Sequence, residues 1–265
     1  MGKVYASSDW HGCADPGLKI LDYLQPDDTL YFLGDAIDRG PDGILLLTKL
    51  LKDKRVIFVK GNHEQFLEDI APDLIEGRFY QADLWLANGG RATWNSLKNL
   101  PEVSKLWYVH KISKLPITLR YNSPNGHTII LDHAGYSPFD SYSLCCHEPL
   151  WDRQHFSTPW YPFSGKITVN TDLDPENTFM VHGHTPVQYL KTSYYYEGNE
   201  DWNKLLDSEE TDEPKVLRYC DGHKFDIDLG TIISNRIALL DLDTFDTIYF
   251  NGGDPDNEIS KSNSH

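Results

Sequence analysis

Gly34-Asp35-Ala36-Ile37-Asp38-Arg39-Gly40 and Gly61-Asn62-His63-Glu64 decide how this chain is read. Each follows an apolar run with the character of a buried strand, Thr29-Leu-Tyr-Phe-Leu33 before the first and Arg55-Val-Ile-Phe-Val59 before the second. Between them Ile44-Leu-Leu-Leu-Thr-Lys-Leu-Leu51, opened by Pro41 and Asp42, reads as a buried helix. Upstream, Lys3 to Ser8 reads as a strand that ends in Ser8-Asp9-Trp10-His11-Gly12. Leu18, Ile20, Leu21 and Leu24 then have helical spacing until Pro26-Asp27-Asp28 interrupts it. Strands and helices alternating at these lengths predict right-handed βαβ crossovers and a mostly parallel sheet.

Outward from that core, Gln65 to about Trp107 reads as mainly helical. The pair Gly89-Gly90, inside Trp85 to Trp94, marks a helix break or a close backbone approach. Strand-like runs return at Ile117 to Tyr121, at Thr128 to Leu131 before Asp132-His133-Ala134-Gly135, and at Thr178 to Val181 before His182-Gly183-His184-Thr185-Pro186. Residues 193–214 are strongly acidic and read as an inserted loop. Lys224 to Leu229, Arg236 to Leu242 and Asp246 to Phe250 read as closing antiparallel strands, and residues 253–265 as a frayed polar tail. The expectation is a single domain over residues 1–252.

The chain has 265 residues, enough for a substantial core, and a formal net charge of −16. That charge opposes nonspecific attraction to nucleic acid or an anionic membrane. No apolar run approaches the roughly 20 residues that cross a bilayer, and no signal-peptide pattern is evident, so a soluble cytoplasmic protein is expected. The cysteines Cys13, Cys145, Cys146 and Cys220 form no Cys-x-x-Cys motif and are read as reduced thiols.

Asp9, His11, Asp35, Asn62, His133 and His184 all fall where strands end. In an α/β sheet the carboxyl ends of the strands deliver side chains to one crevice. Carboxylate, imidazole and amide oxygen suit Mn²⁺, Fe or Zn²⁺. Asp9 and His11, two apart, would project to the same side of an extended chain and chelate one ion. Asp35, with its pair of carboxylate oxygens, is the natural bridge between ions.

Asp9-x-His11-Gly12, Gly34-Asp35-x-x-Asp38-Arg39-Gly40, Gly61-Asn62-His63-Glu64, His133-Ala134-Gly135 and Gly183-His184 resemble, in order, the motifs of calcineurin-like metallophosphoesterases. Asp38-Arg39-Gly40 and Glu64 resemble the phosphoprotein phosphatase branch, and Trp85 to Thr93 with Trp151-Asp152-Arg153 its bacterial and phage members. The resemblance implies a four-layer α/β/β/α sandwich of two mixed sheets flanked by helices. It implies one divalent ion on Asp9, His11 and Asp35 and a second on Asp35, Asn62, His133 and His184, with manganese first and iron or zinc as alternatives. It makes His63, oriented by Asp38, the general acid, and Arg39, Arg153 and Asn62 the phosphate-binding residues. The implied reaction is direct attack of a metal-bridging hydroxide on a phosphate monoester, phosphoserine or phosphothreonine in a phosphoprotein or a small phosphorylated substrate.

The chain departs from the family pattern at Ala134, where a glycine is common, and at Pro186, where other metallophosphoesterases carry a second histidine. His182 shares a strand face with His184 and is read as supporting rather than ligating. Taken singly, each motif has a plainer explanation: Asp is favoured at helix N-caps and Gly-Asn in turns. Their joint order outweighs this. Asp228, Asn235, His110, His127, His147, His155 and His223 belong to no motif and are read as structural. A hydrolase of dinucleoside polyphosphates (Ap4A-type) or RNA caps on the same site, and a catalytically inactive binding module, are the alternatives. No Gly-x-Ser-x-Gly elbow, P-loop or dinucleotide fingerprint is present.

Overall fold

The computed structural model describes residues 2–78, 82–146, 148–161, 170, 172–190, 213–253 and 260–262. Most of the expected acidic insertion, and His147, lie outside these residues. The chain begins β1 (Val4–Ser7), α1 (Ala14–Tyr23), β2 (Thr29–Phe32), α2 (Gly43–Lys52), β3 (Val56–Phe58) and α3 (Asn62–Ile75). Helices α4 (Asp83–Trp85), α5 (Arg91–Leu97) and α6 (Glu102–Ile112) follow. Then come β4 (Thr118–Asn122), β5 (Thr128–Asp132), α7 (Ser141–Cys146), β6 (Thr178–His182) and α8 (Val187–Leu190). The chain closes with β7 (Leu217–Tyr219), β8 (Lys224–Asp226), β9 (Arg236–Asp241), β10 (Thr247–Asn251) and β11 (Ser260–Ser262).

Among the described residues these strands form a six-stranded sheet in the order β11-β10-β9-β1-β2-β3 and a five-stranded sheet in the order β4-β5-β6-β8-β7. Strands β1, β2 and β3 run parallel, as the βαβ pattern predicts, whereas β9 joins β1 antiparallel. Each sheet is therefore mixed. The closing strands do not form one antiparallel set. Strand β8 lies in the second sheet, parallel to β6 and antiparallel to β7, while β9 and β10 return to the first sheet. The short β7, which the sequence reading passed over, covers the outer edge of β8. Residues 260–262 of the polar tail pair with β10 rather than fraying.

The period of two residues along each strand sorts the core into layers. Tyr5, Phe32, Ile237 and Leu239 face α1 to α6, joining Ile20, Leu46, Leu67 and Trp85. Ala6, Leu33, Val59 and Leu240 face the second sheet, where Ile129, Leu131, Phe179, Val181 and Phe225 meet them. Among the described residues, the opposite face of that sheet, with Ile130 and Met180, is covered by Phe139, Trp160 and Leu173.

Trp10 locks the first crossover. It is completely buried, donates its indole N–H to Ser7 Oγ at 2.8 Å, and meets the Phe32 ring edge-to-face at 4.9 Å. Among the described residues no helix is long and apolar enough to cross a membrane. Trp10→Ala is expected to lower the unfolding free energy by about 3–5 kcal/mol, the usual range for emptying a buried aromatic site. Urea titration measures it, and a loss below about 1 kcal/mol would show that the crossover does not depend on this side chain.

Candidate metal centre

The loops after β1 and β2 carry the pairing of those strands beyond the sheet. The N–H groups of Leu33, Asp9, His11 and Gly12 donate to the carbonyls of Ser7, Gly34, Asp35 and Ala36 at 2.8–3.0 Å. Asp9 (φ 57°) and His11 (φ 42°) lie in the left-handed region, so they converge through a tight turn and not through an extended chain. That corrects the reason given for their pairing, while the pairing stands: His11 Nε2 is 3.7 Å from Asp9 Oδ1 and 3.6 Å from Asp35 Oδ2.

Glycine is required where the β2 and β3 loops meet. A Cβ on Gly34 (φ 96°) would come within 2.5 Å of Gly61, and one on Gly61 within 2.2 Å of Asp35 Oδ1. Glu64, fully buried in the first turn of α3, joins the same loops. Its carboxylate accepts the N–H groups of Asp35 at 2.7 Å, Ala36 at 2.9 Å and Gly61 at 3.1 Å. Burial first, and then the Asp35 charge, push its acid up to about 7, against the pull of those N–H donors.

The six expected ligands come together. His133 Nε2 lies 3.5 Å from Asp35 Oδ1 and 2.8 Å from Asn62 Oδ1, and His184 Nδ1 lies 3.0 Å from the same amide oxygen. The second ring nitrogens are already committed. His11 Nδ1 donates to the Ile37 carbonyl at 3.0 Å and His133 Nδ1 to that of Leu33 at 2.7 Å. In the neutral rings this leaves Nε2 as the lone-pair nitrogen, the tautomer a metal-binding histidine needs, with Arg39 Nη1 against that of His11 at 2.5 Å and Asn62 Oδ1 against that of His133. Asp9 Oδ2 accepts from Ser8 Oγ at 2.5 Å and from the His184 N–H at 3.0 Å, whereas Oδ1 is buried without a partner. Acceptors facing acceptors in a buried pocket are stable around a cation, so this donor set fits divalent metal ions. Ligand atoms of His11, Asp35 and His63 lie within 4.8 Å of one another, as do those of Asp9, Asp35 and His133. Both groups share Asp35, but the first has His63 where Asp9 is expected, and the second pairs Asp9 with His133.

Electrostatics divide the histidines. Burial drives His11 and His184 well below the ordinary imidazole value. Burial also lowers His133, but the charges of Asp35 and Asp9 outweigh it and raise it overall. Burial likewise opposes charge on His63, yet Asp35 and the hydrogen bond to Asp38 raise it. Asp35 is held below the usual carboxylate range: burial works the other way, but His133, His63, His11 and Arg39 surround it. Asp9 is pushed up to about 6, by burial above all.

His63 Nδ1 contacts Asp38 Oδ2 at 2.7 Å, while Nε2 lies 3.8 Å from Asp35 Oδ2 and 3.2 Å from Arg39 Nη2. Asp38 is fixed by side chains the sequence reading gave no role. Trp85 Nε1 donates to Oδ2 at 2.7 Å, Thr93 Oγ1 donates to Oδ1 at 2.5 Å, and Thr93 Oγ1 accepts from the Asp38 N–H at 2.9 Å. Gly89 explains how that helical segment reaches the loop. At φ 103° it breaks the run between α4 and α5, and its carbonyl accepts the Arg39 N–H at 3.0 Å. The glycine pair was the available signal for this approach.

Arg39 and Arg153 line one cleft of about 350 Å³ together with His11 and His184, and Tyr189, Ile232 and Ile233 complete its wall. Trp151 holds the Arg153 segment in place, meeting Phe66 of α3 at 5.1 Å and His184 at 6.1 Å between ring centroids. His182 stays apart from the cleft, bonded to Tyr219 Oη at 2.7 Å and to the Gly183 carbonyl at 3.0 Å.

Two mixed sheets between helices, gathering buried carboxylates and imidazoles at their strand ends, define a metallohydrolase. Residues 2–224 match the calcineurin-like phosphoesterases, and the chain belongs to that family. It is 31% identical over 159 residues, 57% of this chain and 68% of the relative, to "Serine/threonine-protein phosphatase 1" of Salmonella typhimurium. It is 23% identical over 267 residues, 89% of this chain and 87% of the relative, to "Bis(5'-nucleosyl)-tetraphosphatase PrpE [asymmetrical]" of Oceanobacillus iheyensis. In fold it is similar to a cold-active protein-tyrosine phosphatase of a psychrophilic Shewanella, with TM-score 0.54 and 18% identity over 98% of this chain and 80% of that one.

Glu64→Ala strands three buried N–H groups. It is expected to cost more than about 3 kcal/mol of stability, at roughly 1 kcal/mol or more for each. Glu64→Gln, which keeps one oxygen, should fall between the two in urea titration. Equal stability of all three proteins would show that water replaces the carboxylate.

Proposed function

We propose that the protein hydrolyses phosphate monoesters, with phosphoserine and phosphothreonine of phosphoproteins as its substrates. In this reading Asp9, His11 and Asp35 hold one divalent ion, and Asp35, Asn62, His133 and His184 hold the other. The mixed nitrogen and oxygen donors suit manganese first, with iron or zinc as alternatives. Bound there, the ions supply a nucleophilic oxygen at neutral pH and offset the charge of the phosphate. The chain's own residues do the rest. Arg39 and Arg153, on the wall of one cleft, hold the phosphate oxygens, with Asn62 beside them. His63 donates a proton from Nε2 to the departing alkoxide, and Asp38 keeps the ring oriented through Nδ1.

The observation that carries this reading is the His63–Asp38 pair beside Asp35 and Arg39. A histidine whose proton affinity is raised, with one nitrogen occupied and the other turned toward the donor cluster, is built to protonate a leaving group. The phosphoprotein preference is supported by the serine/threonine phosphatase relative. Free thiols at Cys13 and Cys220 agree with a cytoplasmic location.

A second reading, cleavage of dinucleoside tetraphosphates, is favoured by the cleft wall. Tyr189, Ile232 and Ile233 are exposed beside Arg153, a surface on which a base can stack, and the tetraphosphatase relative matches most of this chain. Initial rates with Mn²⁺ on a phosphoserine peptide, diadenosine tetraphosphate and p-nitrophenyl phosphate decide between the two. His63→Ala is expected to lower kcat on alkyl phosphates by about 10²–10⁴, the range of general acid catalysis. p-Nitrophenyl phosphate, whose leaving group needs little protonation, should be less affected. Equal losses on both substrate types would sink the role given to His63.

A further inference from the structure

Asp228 stands outside every motif, yet the fold sets it beside the metal centre. Strands β6 and β8 pair in parallel with His182 opposite Asp226. The two chains stay side by side past the strands, since the Ile227 N–H donates to the His182 carbonyl at 2.9 Å and the Val187 N–H to the Asp228 carbonyl at 3.0 Å. Asp228 therefore lies as far beyond Asp226 as His184 lies beyond His182. The His184 N–H in turn binds Asp9 Oδ2 at 3.0 Å.

Asp228 is 1% exposed. Its Oδ1 accepts the Gly230 N–H at 2.8 Å, but its Oδ2 is buried without a partner, and so is Asp9 Oδ1. Asp9, Arg39 and Asp35 are the charged groups that act on it most strongly. Two acid oxygens from separate strands thus lack a donor on the side of the centre that holds Asp9. Burying such oxygens is costly unless a cation, or water ordered by a cation, satisfies them.

We propose that Asp228, through its unpartnered Oδ2, is a positioning residue for the ion held by Asp9, His11 and Asp35. It adds negative charge to that ion's surroundings from the β8 side. This rests on the dinuclear reading of the site. Asp226 also has an unpartnered oxygen and is acted on by Asp228 and Asp9, but its Oδ1 accepts the Asp228 N–H at 3.1 Å. It lies one step farther back along β8, level with His182, which bonds to Tyr219 away from the cleft.

Asp228→Asn keeps an oxygen to accept the Gly230 N–H and removes the charge. Mn²⁺ titrated into metal-free protein, with the free ion followed by electron paramagnetic resonance, counts the sites without any substrate. Wild type and Asp226→Asn are expected to bind two ions per chain. Asp228→Asn should bind one with wild-type affinity and the other about 10–100-fold more weakly, as for loss of a supporting partner of a metal site. Melting curves separate this from a merely structural role. Metal-free Asp228→Asn should be at least as stable as wild type, yet gain less from Mn²⁺. The proposal is overturned if Asp228→Asn binds both ions as wild type does, or if it loses equal stability with and without metal. A wild-type chain that binds fewer than two ions would instead overturn the dinuclear reading itself.

Discussion

The geometry of the centre depends on one buried carboxylate, that of Glu64. Glu64 accepts N–H groups from the loop after β2 and from the loop after β3, and so fixes the spacing between Asp35 on one and Asn62 and His63 on the other. The His63 N–H then donates to Asp35 Oδ1 at 3.0 Å, a second tie across the same gap. The glycines on each side permit this approach, and the carboxylate makes it favourable. A hydrogen bond to a charged acceptor is worth roughly 1.5–3 kcal/mol, about twice a neutral one. Three on one carboxylate tie together a loop junction whose flanking Leu33, Ala36, Ile37 and Val59 are already buried in the core.

The same closeness creates an electrostatic problem. Asp9, Asp35, Asp38, Glu64 and Asp228 are all almost fully buried, and the groups near them that can carry positive charge include Arg39 and the imidazoles of His11, His63 and His133. Protein interiors do not hold several carboxylates together unless protons or cations compensate them. The opposite directions of Asp9, pushed up, and Asp35, held low, show the protein dividing the charge among its own residues. Divalent ions would remove the need for that division, because each brings more positive charge than a protonated histidine. The need for compensation links fold stability to occupancy of the site.

Most of the architecture was legible because the first crossovers follow local rules. Apolar runs of strand length, Pro41 at a helix start and the Gly89-Gly90 interruption each have a local cause, and the structure has β2, α2, β3 and the break between α4 and α5 where they predict. Sheet membership at the end of the chain was not legible. Lys224 to Asp226 and Arg236 to Asp241 have similar patterns, but the first strand joins β6 and the second joins β1. Only long-range packing decides that. In the site, the residues with strong motifs were visible, whereas Thr93, Trp85 and Asp228 act through positions fixed by distant segments. No spacing rule connects Asp38 to Thr93 across the helical layer, and none connects Asp228 to Asp9. Asp9 and His11 were paired for the wrong local reason, since period-two logic applies to extended chain and their backbone has turned left-handed.

That left-handed backbone recurs across the centre. Asp9, His11, Asp35, Asp38, Arg39 and His184 have φ between 42° and 73°, a region that costs an L-residue with a Cβ roughly 1–2 kcal/mol. Such strain persists only where surrounding contacts over-determine it. Here each residue is tied down. The backbone ladder from β1 to β2 holds Asp9 and His11, and Glu64 holds Asp35. Thr93 holds Asp38, the Gly89 carbonyl holds Arg39, and the Asp9 carboxylate holds His184. The turns bring side chains from β1, β2 and β6 to a common point that straight strands 4.7–4.9 Å apart would keep separate. Strain and function thus share a cause. The geometry that gathers donors around Asp35 is one the backbone adopts only under constraint, and the residues that impose it lie in every layer that touches the first sheet.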